Sequence, residues 1–466
     1  MNLIGYYTKF ELLKYTILTE FEHQPNIDNQ VKTQQGLYQS LVWRGGYYLS
    51  VFFLNLFIAR HFEASVSGHI YYLCSIYALV QLFISMSLDS GIIFFVARKE
   101  IAVGRLLNFS ILWSAVCGVA IYFVIPVFYD VSGFDHSLFR ISAICFISGN
   151  LLLTYCTGIF YAKCNYSFPN LVTLVLNLVL ILLIPGNIFA TWAGITDANY
   201  FYWYFSSFLL TGILLSMAAQ VKYVTLKFQG FLNGREIQML IRYCGMAFAA
   251  NIIFFFLYRV DYWFVERFCD ASSLGNYIQV SKLGQLFFVI PTILASAVFP
   301  LVAGGQKDTV KRILPLLSRA ILFLYLCICV LIIIMGKWLF PFLFGSSFND
   351  MYLAFVLLVP GILSLSCLFT LTAYYAGKDR IWTNIKGSLL ALLVITAGDS
   401  IFIPRYGIAA AALVSSIGYI IYQVYILSVF VKEYQVPLSD FFMIRLTDWT
   451  ALKMIVTKTN KIQDEA

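Results

Sequence analysis

Long apolar runs, separated by short polar and charged segments, dominate the pattern of residues along this chain. Each of eight stretches contains no Asp, Glu, Lys or Arg and exceeds the roughly 18–20 residues that a helix needs to cross a ~30 Å hydrocarbon core. The eight uncharged stretches are 64–88, 106–129, 141–162, 164–196, 198–221, 283–306, 351–377 and 406–431. They predict helices, because a helix satisfies its own backbone hydrogen bonds in lipid.

Further apolar segments are shorter or contain single charges. Four of these are 41–59, 240–264, 320–336 and 384–403. The long stretch 164–196 is divided by Pro185-Gly186-Asn187, which leaves one span at 168–187 followed by a polar loop. The pattern therefore predicts twelve transmembrane helices.

The composition agrees with a chain that is solvated mainly by lipid. Hydrophobic residues make up 61% of the 466 residues and charged residues 12%. A soluble domain carries about 25% charged residues, so these values exclude a soluble enzyme as well as a disordered chain.

The positions of the basic residues predict the orientation in the membrane. With a cytoplasmic N-terminus, 23 of the 31 lysines and arginines fall on cytoplasmic segments and 5 on outer loops. This excess of positive charge on alternate loops predicts that both termini are cytoplasmic. The three remaining basic residues, Arg44, Arg259 and Lys282, lie inside predicted spans.

Two short motifs recur at nearly the same distance along the chain. Ala64-Ser65-Val66-Ser67-Gly68 matches Ala271-Ser272-Ser273-Leu274-Gly275 at an offset of 207 residues, and Tyr161 with Asn170 matches Tyr375 with Asn384 at an offset of 214. The motifs indicate a six-helix unit that is duplicated in parallel, with a pseudo-two-fold axis along the membrane normal. Such a pair of bundles suits alternating access, although duplicated membrane folds also include inert scaffolds.

The repeat predicts the domain organisation. Two six-helix bundles are expected, and the cysteines, which lack a Cys-x-x-Cys pair, do not predict a zinc site. Near the N-terminus, apolar residues at helical spacing between Leu3 and Ile17 predict a short interfacial helix, with a frayed tail as the alternative. The predicted segments are a cytoplasmic N-terminal segment at 1–39, bundles at 40–220 and 240–431, a connecting loop at 221–239 and a cytoplasmic tail at 432–466.

Several motifs resemble those of one transporter family in their order and spacing. Those of the second half are Arg259-Val260-Asp261, Gly275-Asn276-Tyr277, Ser281-Lys282-Leu283, Phe299-Pro300, Pro360-Gly361, Ala376-Gly377-Lys378 and Ile403-Pro404-Arg405-Tyr406-Gly407-Ile408-Ala409-Ala410-Ala411-Ala412; the first half has Leu88-Asp89-Ser90-Gly91 ahead of Arg98. Over about 41–431 the chain is similar to polysaccharide transporters of the MOP superfamily, which also contains MATE drug exporters and lipid II flippases. It departs from the family pattern at Ala410, where Gly is favoured, and at Asp399, where a neutral Asn is favoured.

The resemblance implies a flippase of the Wzx type. Such a protein moves an undecaprenyl-pyrophosphate-linked oligosaccharide, often an O-antigen unit, from the cytoplasmic to the periplasmic leaflet of the bacterial inner membrane. Its expected partners are this lipid-linked oligosaccharide, membrane lipid and the machinery that polymerises surface polysaccharide. Neither nucleic acid nor a cofactor is expected, although H⁺ or Na⁺ is a candidate coupling ion.

The basic residues inside spans are the candidate ligands of a pyrophosphate. A Lys or Arg at mid-membrane costs roughly 2.5–3.5 kcal/mol on insertion scales, so it is kept where a cavity or a partner uses it. Lys282 lies seven residues past Gly275, about 10 Å into its span, and Gln279 and Gln285 extend its polar face. The alternative is a lysine that snorkels or pairs with a carboxylate for structural reasons.

Arg259 and Asp261 point to different faces of a helix because they are two residues apart. We predict that Arg259 faces the cavity as a phosphate ligand, while Asp261 pairs with Lys282 or carries a coupling proton. The alternative is an interfacial charge cluster at the outer end of the span, together with Glu266 and Arg267.

Other residues are predicted to assist transport. Arg44 either captures the pyrophosphate at the cytoplasmic mouth or snorkels to the interface. Asp89 is expected at the inner end of its span as a gating or structural residue, and Asp399 at the outer lip of span 11. Pro291 is a candidate hinge. Tyrosines 71, 72 and 77 either stack on sugars or pack within the bundle.

Two other functional classes compete with the flippase. A drug or metabolite antiporter of the same superfamily is the nearer one; such exporters rely on buried acids, whereas the buried bases here favour an anionic substrate. A membrane-embedded polymerase of lipid-linked sugars would need catalytic residues on a sizeable outer loop. The longest outer loop, near 185–199, contains Asp197 as its one ionisable residue. We therefore expect a transporter rather than an enzyme.

Overall fold

The computed structural model describes residues 27–125, 136–224, 230–292, 294, 307–378 and 380–443. Within these residues, eight helices are long and apolar enough to cross a membrane, and two apolar helices of 10–17 residues accompany them. The predicted all-α, multi-pass membrane class is confirmed. The predicted interfacial helix near the N-terminus, Phe299-Pro300 and most of the C-terminal tail lie outside the described residues.

The helices follow the apolar runs of the sequence closely. In the first half they are α1 (Ile27–Ser85), α2 (Leu88–Ala97), α3 (Val103–Val124), α4 (His136–Ala162), α5 (Ser167–Leu182), α6 (Ile188–Trp192) and α7 (Asp197–Tyr223). In the second half they are α8 (Gly234–Leu257), α9 (Val260–Phe268), α10 (Ala271–Leu286), α11 (Lys307–Phe344), α12 (Met351–Gly377), α13 (Ile381–Tyr434) and α14 (Ser439–Phe442), with a 3₁₀ turn at Ser346–Phe348 before α12.

The two longest helices each contain one residue with a non-helical backbone. Glu63 in α1 has φ 61° and ψ 177°, and Gly407 in α13 has φ 59° and ψ −145°. Glu63 falls between the first and second predicted spans, whereas Gly407 is the second residue of the twelfth predicted span, 406–431. The hydrophobic pattern therefore predicted helices in these regions, but the continuation of each helix from one predicted span into the next is visible only in the structure.

The seventh and eighth predicted spans are interrupted within the apolar region. Arg259 separates α8 from α9 with φ −145°, and a turn at 287–288 follows α10 before helical residues resume at 289–292. Proline at position 291 has no N–H to donate to the carbonyl of Phe287, four residues earlier, which accounts for the second interruption. The predicted hinge residue thus lies just after a break in the helix.

Glycines allow the two halves to touch at one end of the bundle. A Cβ atom on Gly68 would lie 2.5 Å from the Cα of Gly275, so only glycine fits this crossing of α1 and α10. Both residues end the repeated Ala-Ser-x-x-Gly motif. The 3₁₀ turn closes over the same point: Ala64 N–H donates to Ser347 Oγ at 3.1 Å, and Asn276 Nδ2 donates to the Ser347 carbonyl at 3.0 Å.

The residues that follow α1 also meet the second half. Asn251 Nδ2 donates to Ser87 Oγ at 2.8 Å, and the rings of Phe94 and Tyr243 stack with their centroids 4.3 Å apart. Arg105 and Glu236 form an ion pair nearby at 2.9 Å. The two halves are therefore in contact at both ends of the second segment of α1, and the residues of α1 between these contacts face the candidate site.

Candidate functional site

A cavity lies along α1 between the two sets of contacts. Its volume is about 210 Å³, room for on the order of a dozen water molecules. Helices α1, α4, α5 and α7 form most of its wall, and the second half contributes residues 259–286, from the break before α9 to the end of α10. Of the residues predicted as site residues, Arg259, Lys282, Gln279, Gln285 and Asp89 line this cavity.

Lys282 joins the two halves across the cavity. Its Nζ donates to Asn55 Oδ1 at 2.7 Å and lies 2.9 Å from the centroid of the Tyr71 ring. Asn55 and Tyr71 belong to the two segments of α1 on either side of Glu63, and Tyr71 Oη donates to the Asn55 carbonyl at 3.0 Å. A cation held by an amide oxygen and an aromatic face keeps its charge directed at the cavity.

Arg259 occupies the break between α8 and α9. Its guanidinium lies 4.9 Å from the centroid of the Phe255 ring, and the residue lines the cavity together with Tyr262 and Lys282. Because the helix is interrupted here, the side chain is presented by an irregular turn, which is tolerated at membrane depth where it borders a water-filled cavity. The two cations thus approach the cavity from adjacent elements of the second half.

Asp261 does not pair with Lys282, so this part of the prediction is wrong. The Asp261 carboxylate accepts hydrogen bonds at Oδ2 from the Tyr277 hydroxyl and from Ser415 Oγ, the latter at 3.2 Å. Arg259 and Asp261 point to different sides of the turn, as predicted, and Asp261 is directed into the packed interior of the second half. The suggested interfacial cluster is also wrong for Asp261, which is 2% exposed.

Asp399 lies near Asp261 in the second half. It is fully buried on α13, within electrostatic range of Asp261. Neither of its carboxylate oxygens has a hydrogen-bond partner among the described residues, and Asp261 Oδ1 likewise has none there.

Gln285 connects the cavity with the buried acids. It lines the cavity, and it also lines a small pocket that contains Asp261, Tyr277 and Ser281. Tyr262 Oη, from the cavity wall, donates to Ser281 Oγ at 2.8 Å in the same region. A short polar path therefore leads from the cations to the carboxylate pair.

The remaining predicted residues lie at the edges of this arrangement. Arg44 is half-buried and its guanidinium lies 5.3 Å from the ring centroid of Tyr161, which lines the cavity. Asp89 begins α2 and borders the same end of the cavity. Of the three predicted tyrosines, Tyr71 lines the cavity, whereas Tyr77 is buried and hydrogen-bonded to Ser142 at 2.7 Å.

The sequence profile of the polysaccharide biosynthesis protein family matches residues 57–353, more than half of the chain. The chain belongs to this family. The resemblance to polysaccharide transporters noted from the motifs is confirmed by this match. A comparison with curated proteins by sequence gives no significant match.

Solved structures with the same fold are flippases and transporters. The lipid II flippase MurJ in an inward closed conformation superposes with a TM-score of 0.67 at 16% identity, covering 93% of each chain. An inward-facing multidrug resistance MATE transporter of the MOP superfamily gives 0.68 at 14% identity over 84% of this chain and 95% of that one. A mutant of the Vibrio cholerae MATE transporter VcmN gives 0.60 at 14% identity over 87% and 98%. At these identities the likeness shows a shared fold.

Within this member of the family, sequence reasoning missed the polar residues opposite the cations. Asn55, Asn150, Asn170 and Asn177 all line the cavity, yet each lies within or beside an apolar run. The signal was present, because a carboxamide in a lipid-spanning helix is costly unless it has a partner. A search for charged residues alone passes over these side chains.

Proposed function

We propose that this protein moves an undecaprenyl-pyrophosphate-linked oligosaccharide, such as an O-antigen repeat unit, from the cytoplasmic to the periplasmic leaflet of the bacterial inner membrane. In this proposal twelve spans form two six-helix bundles, at 40–220 and 240–431, with both termini in the cytoplasm and a pseudo-two-fold axis between them. The bundles rock about the cavity to give alternating access.

One observation carries the proposal: Arg259 and Lys282 line a single cavity between two halves that contact each other at both of its ends. A pyrophosphate needs cationic partners once it leaves the aqueous phase, and hydrogen bonds between charged partners are about twice as strong as neutral ones. Membership of the polysaccharide biosynthesis protein family supports a lipid-linked sugar as the cargo. Gln279 and Gln285 add neutral hydrogen-bonding groups beside the two cations.

The carboxylates Asp261 and Asp399 are the proposed coupling site. Two buried acids with unpartnered oxygens repel each other, so a proton or Na⁺ that binds between them stabilises the second half. Because Gln285 borders both this pocket and the cavity, occupation of one site alters the surroundings of the other. Asp89 is the proposed gating residue at the end of the cavity where α2 begins.

Two further residues have proposed supporting roles. Arg44, close to the cavity-lining Tyr161, captures the pyrophosphate at the cytoplasmic mouth before it reaches Lys282. Pro291 marks the hinge at which the helix after α10 changes direction during transport. The flippase delivers its cargo to a polysaccharide polymerase, which is the expected partner in the membrane.

Purified protein in proteoliposomes tests the proposal directly. With undecaprenyl-pyrophosphate-linked oligosaccharide in both leaflets, the wild type should expose the inner-leaflet pool to an external glycosidase, and the Arg259→Ala and Lys282→Ala variants should not. Arg267→Ala is the matched control, since Arg267 is exposed and does not line the cavity. Equal exposure in liposomes with and without protein would overturn the proposal.

A second candidate is a cation-coupled drug or metabolite antiporter. The observation that favours it is the buried carboxylate pair, Asp261 and Asp399. The same liposomes distinguish the two candidates: an antiporter moves a cationic dye against an imposed H⁺ or Na⁺ gradient and leaves the lipid-linked sugar in place.

A further inference from the structure

The wall of the cavity opposite the cations carries neutral polar side chains on three helices, interspersed with apolar ones. On α4, Asn150, Thr154 and Thr157 line the cavity at intervals of four and three residues, so they form one stripe on one face of the helix. On α5 the stripe is Thr173 and Asn177, and on α7 it is Ser207 and Thr211. None of these residues carries a charge.

The second half provides an internal comparison for this wall. We align the two halves by placing Tyr161 on Tyr375. The residues of the second half that then correspond to Thr154, Thr157 and Asn177 are Leu368, Leu371 and Ala391, which are 2%, 1% and 0% exposed. Thr173 corresponds to Gly387, where an added Cβ would lie 2.6 Å from the ring of Tyr422. The same fold is therefore stable with apolar, tightly packed residues at these positions, so the fold itself does not require polar groups there.

Buried polar atoms without partners border the same cavity. Ser75 Oγ and Gln279 Oε1 line it and have no hydrogen-bond partner in the described part of the chain. Asn150, which is 6% exposed, lines the same cavity. Buried polar groups are normally hydrogen-bonded, so atoms of this kind around a cavity indicate a ligand or water that completes their bonds.

The charges of the cavity are segregated. The lysine and arginine side chains among its described lining residues, Lys282 and Arg259, both come from the second half. The acid, Asp89, lies at the first-half end beside Gly158. A ligand that is anionic at one end and neutral but rich in hydroxyl or amide groups at the other matches this distribution.

We infer that the stripe of Asn150, Thr154 and Thr157, with Thr173 and Asn177 facing it from α5, binds the first sugar of the substrate, an uncharged hexose or N-acetylhexosamine joined to the pyrophosphate. Amide and hydroxyl side chains donate to and accept from sugar hydroxyl and acetamido groups. Tyr71 and Tyr161 also line the cavity and add aromatic surface beside these polar groups. The inference rests on the proposed function, because it places the pyrophosphate at Lys282 and Arg259.

The test compares two lipids in the same proteoliposomes. One is bare undecaprenyl pyrophosphate and the other carries a single N-acetylhexosamine. The wild type should bind the sugar-bearing lipid more tightly, and the Thr154→Val/Thr157→Val variant should lower that preference by about five- to tenfold, as expected for the loss of neutral hydrogen bonds. Asn150→Leu should act in the same direction.

Thr372→Val is the matched control, because Thr372 is a buried threonine of the second half that donates to the Phe369 carbonyl at 3.0 Å and does not line the cavity. It should keep the wild-type preference. A third lipid that carries a uronic acid should bind more weakly than the N-acetylhexosamine lipid, since the described lining residues of α4, α5 and α7 include no Lys or Arg to receive a carboxylate.

The outcomes separate this inference from the proposed function. If the wild type neither binds nor moves either undecaprenyl lipid, the proposed function is wrong. If the wild type moves both lipids but does not distinguish them, or if the wall variants keep the full preference, the sugar site is wrong while the flippase stands. If the uronic-acid lipid binds more tightly than the N-acetylhexosamine lipid, the inference that the site binds an uncharged sugar is wrong.

Discussion

Lys282 on α10 and Asn55 on α1 are hydrogen-bonded across the two halves of the protein, with Nζ and Oδ1 2.7 Å apart. The group proposed to bind the pyrophosphate is therefore also a link between the halves. An arriving anion competes with Asn55 for the ammonium group, and its binding weakens the link. Substrate binding and release of the contact between halves become one event.

Replacing Asn55 with Asp should hold the halves together. A carboxylate at this position forms an ion pair with Lys282 that the substrate must break, and a buried ion pair that loses one partner leaves an unpaired charge. We expect flux of the lipid-linked oligosaccharide to fall at least about tenfold. Flux assays in proteoliposomes measure the effect, and Asn55→Ala, which only removes the link, should retain more flux than Asn55→Asp. The reverse order would contradict the link.

Substitution of Lys282 should affect binding more than folding. Lys282→Ala removes a charge-assisted partner of the substrate, so we expect affinity for undecaprenyl pyrophosphate to fall about tenfold or more. Titration of the purified protein with the lipid, alongside a thermal melt, separates binding from stability. Lys337→Ala is a suitable control, since Lys337 contacts the Tyr352 ring at 5.5 Å and does not line the cavity. Unchanged affinity in Lys282→Ala would show that the lysine is structural.

Asp399→Asn should uncouple transport from an ion gradient and stabilise the protein. The substitution removes a buried acid neither of whose carboxylate oxygens has a partner in the described structure, and a neutral amide of the same shape avoids the repulsion from Asp261. We expect a higher melting temperature and a flux that no longer responds to an imposed H⁺ or Na⁺ gradient. A variant that stays gradient-driven would exclude Asp399 from coupling. Asp197→Asn, at an exposed acid paired with His61, serves as the control.

Enlarging Gly68 should prevent the close contact between α1 and α10. A Cβ at this position would lie 2.5 Å from Gly275 Cα, so Gly68→Ala must separate the helices. We expect a cysteine introduced at Ser347, which caps this contact, to react faster with a membrane-impermeant maleimide in the Gly68→Ala background. Gly45→Ala provides the control because an added Cβ there meets no atom within 4 Å. Equal labelling rates in the two backgrounds would show that the contact tolerates a methyl group.

Asp270, which precedes the first residue of α10, makes a pH-dependent contribution to the stability of the protein. Hydrogen bonds from the Ser273 hydroxyl and backbone N–H lower the pKa of Asp270 from its usual value of 3.8, and the carboxylate caps the helix by accepting from Ser273 N–H at 2.7 Å. Asp270→Ala should cost about 1 kcal/mol of stability at neutral pH. Because the folded-state pKa is lowered, this contribution is present above 3.8 and is lost as the pH falls through the lowered value.

Thermal melts of the wild type and Asp270→Ala between pH 7 and pH 3 measure this effect. The gap between the two melting temperatures should narrow at the acid end. Asp270→Asn keeps a capping oxygen without a titrating group, so its difference from the wild type should be small at neutral pH. If the difference in melting temperature between the wild type and Asp270→Ala does not change with pH, the charge of the carboxylate does not contribute to the cap.

Part of the fold and of the candidate site could be predicted from the sequence. Long uncharged stretches predict helices, because lipid leaves the backbone no other hydrogen-bond partner. Arg259 and Lys282 could be singled out because charged residues are rare within these spans. Both residues line the cavity. The partner of Asp261 could not be predicted, since Tyr277 and Ser415 reach it from α10 and α13, and only the packed structure brings these helices together. Asn55 was missed because a neutral amide does not interrupt an apolar run.

The contact of Gly68 with Gly275 joins two copies of the same short motif, Ala-Ser-x-x-Gly, within one polypeptide. It therefore has the like-with-like pairing of a two-fold dimer interface, in which each copy meets its own counterpart. In a homodimer one mutation changes both surfaces of the interface at once, whereas in this chain a mutation changes the surface of one half and leaves that of the other unchanged. Because the two motifs belong to one polypeptide, the first half can keep a cavity while Leu368, Leu371 and Tyr422 are closely packed in the second, and the glycine contact between the halves stays intact.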